Sequence, residues 1–99
     1  MSDAYTRAWQ SSISDPEGFW MEASKAVAWA SPPSRAYDDA RGWFPGASLN
    51  TAYNAIDRHV EAGRGDSAAI IYDSPVTGTV TSYSYADLQV EVGRLAAAL

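Results

Sequence analysis

Apolar residues fall at helical spacing near both ends of the chain and in its middle, with two strand-like runs between. Residues 3–11 read as a short helix, and Asp15-Pro16 then gives a firm start: an N-cap followed by the proline that suits the first helical position. The pattern predicts a helix over 16–28. It sets Phe19, Ala23 and Ala26 on one stripe with Trp20 and Val27 beside it, while Glu17 and Glu22 sit where the helix dipole favours them. Ser31-Pro32-Pro33-Ser34 ends it.

No period persists from Arg35 to Ser48, where Asp38-Asp39, Gly42 and Pro45-Gly46 punctuate the chain. Tyr37, Trp43 and Phe44 anchor this stretch, which reads as an ordered loop, since a disordered one would be poorer in aromatics. Asn50 opens a second helix, Thr51 to Glu61, with Ala52, Ile56 and Val60 four apart beside Tyr53 and a left-handed exit at Gly63. Ala68–Tyr72 and Thr79–Tyr83 flank the turn-rich Asp73–Gly78 and predict a β-hairpin, its strands being edge strands of a larger sheet. Ser84 and Asp87 have the form of a capping box. The helix they open carries Tyr85, Leu88, Val92, Leu95 and Leu99 on one apolar seam, and no stop signal follows. A seam broken off in mid-pattern, after a hairpin too small to be a sheet, leads to the expectation of a longer parent chain.

Composition narrows the function classes. The seven basic residues are scattered and the net charge is −5, so there is no stripe to neutralise a phosphate backbone, and no nucleic-acid partner is expected. The run Ala68–Tyr72 is far short of the roughly 20 apolar residues a membrane span needs, and residues 1–8 lack an apolar signal core, so no membrane partner is expected either. The absence of cysteine fits a reducing cytoplasm. Twelve aromatic side chains in one small domain or less are more than an isolated module needs, and they must pack on one another or on something else.

Candidate chemistry is sparse. Gly63-Arg64-Gly65-Asp66 has neither the spacing nor the lysine of a phosphate-binding loop and reads as a helix exit and turn; the adhesion-like Arg64-Gly65-Asp66 tripeptide reads as coincidence. His59 is the sole histidine, and Asp57, two residues away on a helix, points to another side and cannot orient it. Its place one turn from a helix C-terminus suits the dipole. Asp57 and Glu61 share a helix face, but two carboxylates are too few for a calcium shell. Asp38 and Asp39 diverge as adjacent residues do, with no nucleophile placed beside them. Trp20, Trp29, Tyr37, Trp43 and Phe44 either line a ligand groove or, in the preferred reading, pack together.

Three stretches carry a resemblance. Asp15-Pro16-Glu17-Gly18-Phe19-Trp20, with Trp29 and Pro33 beyond it, resembles a DPxxFW helix and its following tryptophan. Residues 43–60, from Trp43-Phe44-Pro45-Gly46 through Asn54 to Asp57-Arg58-His59-Val60, resemble a WFxGGxLNxxYNxxDRHV pattern. Residues 65–79, ending Asp73-Ser74-Pro75-Val76-Thr77-Gly78-Thr79, resemble GDxxAIIYDSPVTGT, followed by a YxYxEL helix start at residues 83–88. Together they are similar to the region preceding the adenylation core in AMP-forming short-chain acyl-CoA synthetases, and the residues 74–79 favour the propionyl-CoA synthetases over the acetyl-CoA synthetases. Ala47 stands where that pattern often has glycine, and Asp87 where glutamate is common.

The resemblance implies a parent enzyme that turns propionate, ATP and CoA into propionyl-CoA, AMP and diphosphate, with Mg-ATP and CoA bound elsewhere. No residue here matches that family's phosphate loop, ribose-binding acid, adenylate-contacting arginine or catalytic lysine, so no catalytic, cofactor-binding or metal residue is assigned. The fold expected is an α+β fragment. Residues 1–66 form an N-terminal extension of helices and ordered loop; residues 67–99, a hairpin and helix, begin the large α/β domain of an adenylate-forming enzyme. The implied partner is the remainder of that chain, with a small carboxylate as the parent's substrate. The other class of reading is a free-standing interaction module that buries its seam and aromatics by self-association.

Overall fold

The computed structural model describes residues 2–99, which divide by their contacts into two compact units, one ending at Asn50 and one beginning at Thr51. The chain is an α+β fragment as expected: helices, small antiparallel pairs, a hairpin and a closing helix. None of its helices is long and apolar enough to cross a membrane, among the described residues.

In the first unit, helix α1 (Asp3–Ser14) runs three residues further than its sequence pattern suggested. Ser2 caps it, accepting from the Tyr5 amide at 3.4 Å, and the Asp15 amide still donates to Ser11 O at 3.0 Å. Asp15 then serves the next helix. Its carboxylate accepts from the Gly18 amide at 3.0 Å, and Pro16 takes the first position of α2 (Pro16–Ser24) as its fixed φ favours.

Helix α2 stops at Ser24 and does not reach residue 28. The Ala26 and Val27 amides tighten to carbonyls three residues back, and the Trp29 indole donates to Ser24 O at 2.8 Å, capping a helix-end carbonyl from outside the helix. Trp29 is thereby drawn into a strand, β1 (Trp29–Ser31), and the predicted stripe is broken: Phe19 is half-buried while Ala23 and Ala26 are exposed.

The stretch 35–48 is ordered, and it contains strands that the sequence did not announce. β2 (Tyr37–Asp38) pairs with β3 (Gly42–Trp43), and β1 pairs with β4 (Ser48–Leu49) through Trp29 opposite Leu49. Asp38 closes the tighter turn by accepting from the Ala40 and Arg41 amides at 3.0 Å each, with Gly42 in the left-handed region. Phe44 is left-handed too (φ 47°), which costs a residue with a Cβ about 1–2 kcal/mol; its ring packs 5.6 Å from Trp29 and 5.9 Å from Trp43. The Phe44 amide donates to Ala36 O, and the Ala36 amide to Glu17 Oε1, each at 2.7 Å, so a long-range bond ties the loop to α2 around the buried Ala36.

The second unit opens with a helix over residues 51–64 whose turns are wider than α-helical across Tyr53–Asp57 and Val60–Arg64. The Arg58 amide reaches back to Tyr53 O, and Gly63 (φ 83°) provides the left-handed turn at the end. Strands β5 (Ala68–Ser74) and β6 (Thr79–Ser84) form the predicted hairpin with a register shift between Ala68 and Ile70, and each strand is slightly longer than its sequence pattern. At its tip the Gly78 amide donates to Ser74 O at 2.9 Å. Ser84 and Asp87 make the reciprocal capping box at the start of α3 (Tyr85–Ala98): Asp87 N donates to Ser84 Oγ at 3.1 Å, and Ser84 N to Asp87 Oδ2 at 2.9 Å. The Tyr85 and Ala86 amides fasten α3 to Ser67 O and Gly65 O.

The α3 seam is covered only at its start. Tyr85 and Leu88 are half-buried, whereas Leu95 and Leu99 are 62% and 99% exposed. Ala52 and Ile56 of the wide helix and Val92 and Ala96 of α3 flank an open groove of about 310 Å³. The hairpin is apolar and exposed on both faces, with Ile71 and Val80 on one and Ile70 and Tyr72 on the other. In all, the chain exposes 7305 Å². Two separate self-contained domains sharing this chain length would expose roughly 6,600 Å².

Asp87 gives the fold a pH signature. The hydrogen bonds from the Ser84 backbone and then its side chain hold this carboxyl below its ordinary value of 3.8. A depressed folded value means that the stabilisation is fully present above pH 3.8 and is lost as pH falls through the lower folded value. Asp87→Asn should therefore flatten the acid limb of helicity against pH measured by circular dichroism below pH 3.8, and leave the neutral limb parallel to that of the parent sequence.

Candidate functional site

Of the polar side chains that the sequence singles out for chemistry, His59, Asp57, Glu61 and Asp38 each have a partner of their own. In the second unit, Arg64 Nη2 lies 2.8 Å from His59 Nδ1. Arginine has no acceptor, so Nδ1 must accept, which puts the proton of the neutral ring on Nε2. The ring also packs 4.9 Å from that of Tyr85. Asp57, two residues before it, accepts from Gln89 Nε2 at 2.9 Å. His59 thus has an arginine where a triad would need an orienting acid, and the expectation that Asp57 cannot orient it agrees with this geometry.

Asp57 and Glu61 accept from different partners. Glu61 accepts from the Tyr53 hydroxyl at 2.7 Å, and that hydrogen bond, with the charge of Glu61 behind it, raises the Tyr53 phenol above its usual value of 10.0. Arg58 donates to Asn54 Oδ1 at 3.3 Å, one helical turn back. No group of three or more metal-ligating side chains occurs among the described residues. Arg64 and Gly65 are taken up by the helix exit: Arg64 bonds His59, and Gly65 O accepts from Ala86.

In the first unit, Asp38 and Asp39 part company. Asp38 sits inside the 35–42 turn, with Arg35 and Arg41 each 3.4 Å from Oδ2; the Arg41 hydrogen bond is the largest of the influences that lower its carboxyl below 3.8. Bonds of this kind close a turn and leave the carboxylate too well paired to act as a base.

Aromatic side chains of the first unit are also brought together over distance. Trp20 lies 5.5 Å from Trp43, Trp43 5.2 Å from Tyr37, and Trp29 5.6 Å from Phe44, mostly edge-on or tilted as ring quadrupoles prefer. The five therefore pack together, with Phe19 joining at 5.0 Å from Trp20. Tyr5, Ala8, Trp9 and Ser12 of α1 line a shallow groove of about 240 Å³ with Phe19 and Trp20. Two contributors escaped sequence reasoning: Glu17, whose signal as an N-terminal helix acid gave no hint of its bond to Ala36, and the Trp29 indole, whose carbonyl partner is five residues upstream. A larger groove of about 720 Å³ between β6 and α3 is lined by Tyr83, Asp87, Val90, Glu91 and Arg94, and there Arg94 pairs with Glu91 at 2.8 Å.

Comparison with known proteins supplies the context that this geometry lacks. The profile of the acetyl-coenzyme A synthetase N-terminus family matches residues 5–55. An uncharacterized protein of Pseudomonas aeruginosa is 48% identical over 92 residues, covering 89% of this chain and 15% of its own length. Acyl-CoA synthetase short-chain family member 3, mitochondrial, of Mus musculus is 42% identical over 99 residues (96% of this chain, 14% of that protein). Acetyl-coenzyme A synthetase of Burkholderia lata is 43% identical over 90 residues (86% and 14%). The chain thus spans about one seventh of the length of these relatives. The matched stretch holds the long-range ties of the first unit, Glu17 to Ala36, Ala36 to Phe44 and Trp29 opposite Leu49, and this chain belongs to the acetyl-coenzyme A synthetase N-terminus family.

Proposed function

We propose that this chain is the structural N-terminal segment of an AMP-forming propionyl-CoA synthetase, an acid-thiol ligase that makes propionyl-CoA, AMP and diphosphate from propionate, ATP and CoA. Residues 1–66 serve as the extension and 67–99 as the start of the adenylate-forming domain, in a cytoplasmic enzyme whose Mg-ATP and CoA are held by residues outside this segment. The observation that carries the packing role is the hairpin exposed and apolar on both faces beside a half-covered α3, since a strand pair of that kind belongs inside a sheet with layers on both sides. The preference for propionate rests on the residues 74–79 alone, which form the hairpin tip.

The substrate reading is tested on the full-length parent by comparing kcat/KM for propionate and acetate. One methylene in an apolar pocket is worth about 1–3 kcal/mol, roughly 10–200-fold, and the ratio should favour propionate within that range. A ratio favouring acetate overturns the propionate assignment and leaves the packing role in place.

The isolated chain should bind neither ATP nor CoA. Titration calorimetry should show no saturable heat, whereas one-to-one binding at a micromolar Kd, about −8 kcal/mol, would place ligand contacts inside the segment.

Leu95 separates the two settings. At 62% exposure, Leu95→Asp should shift the thermal midpoint of the 99-residue chain by no more than about 0.5 kcal/mol equivalent, as surface changes do. In the full-length parent the same substitution puts a charge into packed apolar surroundings and should lower the midpoint markedly. Equal midpoints for parent and variant would show that the seam faces water there.

A further inference from the structure

Most of the exposed apolar surface of the first unit forms one continuous belt. Tyr5 and Trp9, one helical turn apart on α1, share a groove with Phe19 and Trp20; Trp20 packs edge-on against Trp43, and Trp43 against Tyr37. These rings nevertheless look outward: Tyr5, Trp9 and Trp43 are 57%, 55% and 56% exposed, with Trp20 and Tyr37 at 40% and 43%. Five aromatic side chains about half exposed present roughly 500 Å², toward the upper end of the largest apolar patch found on monomeric proteins. The groove between α1 and α2 is lined without a single charged side chain, so its occupant is an apolar protein surface and not an ion or a nucleic acid.

We propose that this belt is the face by which the segment docks on the remainder of its own parent synthetase polypeptide. The inference rests on the family reading given above and names the surface that reading needs. A second copy is the weaker occupant, because roughly 500 Å² falls below the ~800 Å² per partner of a stable interface. A covalently attached partner needs less area, since tethering raises its local concentration to the millimolar range. All five belt residues, from Tyr5 to Trp43, lie within the stretch 5–55 shared by the family, and relatives of this chain carry about six sevenths of their length outside the matched part. The belt therefore lies in a stretch whose relatives carry a large additional polypeptide able to cover such a face.

Hydroxyl-radical footprinting of the full-length parent, read by mass spectrometry at Trp9 and Trp43, tests this. The reference is the same protein unfolded in urea. Rings left as exposed as they are here would be oxidised within a few-fold of the unfolded rate; docked rings should react about tenfold more slowly, at two protein concentrations differing about 20-fold. Unprotected rings overturn the proposal, and protection only at the higher concentration overturns it in favour of a second copy. Propionate activation assayed on the same preparation keeps the two readings apart: activity with an unprotected belt defeats the docking face alone, and a protected belt without activity defeats the propionate reading alone.

Discussion

Apolar surface that finds no partner within the 99 residues is the constraint to which the other features answer. Folding fixes a residue's backbone at an entropic cost of about 1–2 kcal/mol, and burial of apolar area is the chief term that offsets it. Here Ala36 is the only apolar residue of the usual core types that is fully buried among the described residues, while Trp, Ile, Val and Leu side chains in both units stand half or more in water. Burial within the chain is therefore slight. The local structure is correspondingly held by hydrogen bonds more than by a core.

Those bonds are placed where a core would otherwise act. Glu17 holds the Ala36 amide, Ala36 O holds the Phe44 amide, and Asp38 gathers two amides and two guanidinium groups into one turn. Each is worth only about 0.5–1.5 kcal/mol net, and the exposed ion pairs less, so none of them substitutes for burial. What they do is set shape. They hold Trp43 and Phe44, the latter in a left-handed conformation, against Trp20 and Trp29, and so present an ordered aromatic face without a finished interior.

Much of this was legible in the sequence, and the misses have a common cause. Asp15-Pro16, the Ser84–Asp87 capping box, the hairpin around residues 74–79 and the Gly63 exit are local signals, decided by chemistry within four or five residues, and each is found where its pattern put it. The end of α2 was misplaced because Pro32-Pro33 marks where a helix must have stopped, not where it does; the deciding contact is the Trp29 indole on Ser24 O. The two- and three-residue strands between 29 and 49 were invisible for the same reason, since pairing Trp29 with Leu49 depends on a loop closure no window of sequence displays. As for the candidate site, the sequence offered acids and one histidine but no geometry in which they meet, and the structure occupies each with a neighbour of its own.

The wide helix over 51–64 shows how winding and side-chain pairing decide each other. At 100° per residue, positions eight apart lie about 80° out of line, too far for Tyr53 and Glu61 to meet on a regular α-helix. Wider turns rotate less per residue, and across Tyr53–Asp57 the accumulated rotation falls, bringing the phenol onto the carboxylate at 2.7 Å. The same unwinding leaves Asp57 on the side of α3, where it meets Gln89, and puts His59 against Tyr85. Wide turns of this kind often mark functional sites. In this chain the polar groups on those turns are spent within the helix, in the Tyr53–Glu61 and His59–Arg64 pairs, and on its neighbour α3, through Asp57 and Gln89, while the later part of the α3 seam stays exposed at Leu95 and Leu99.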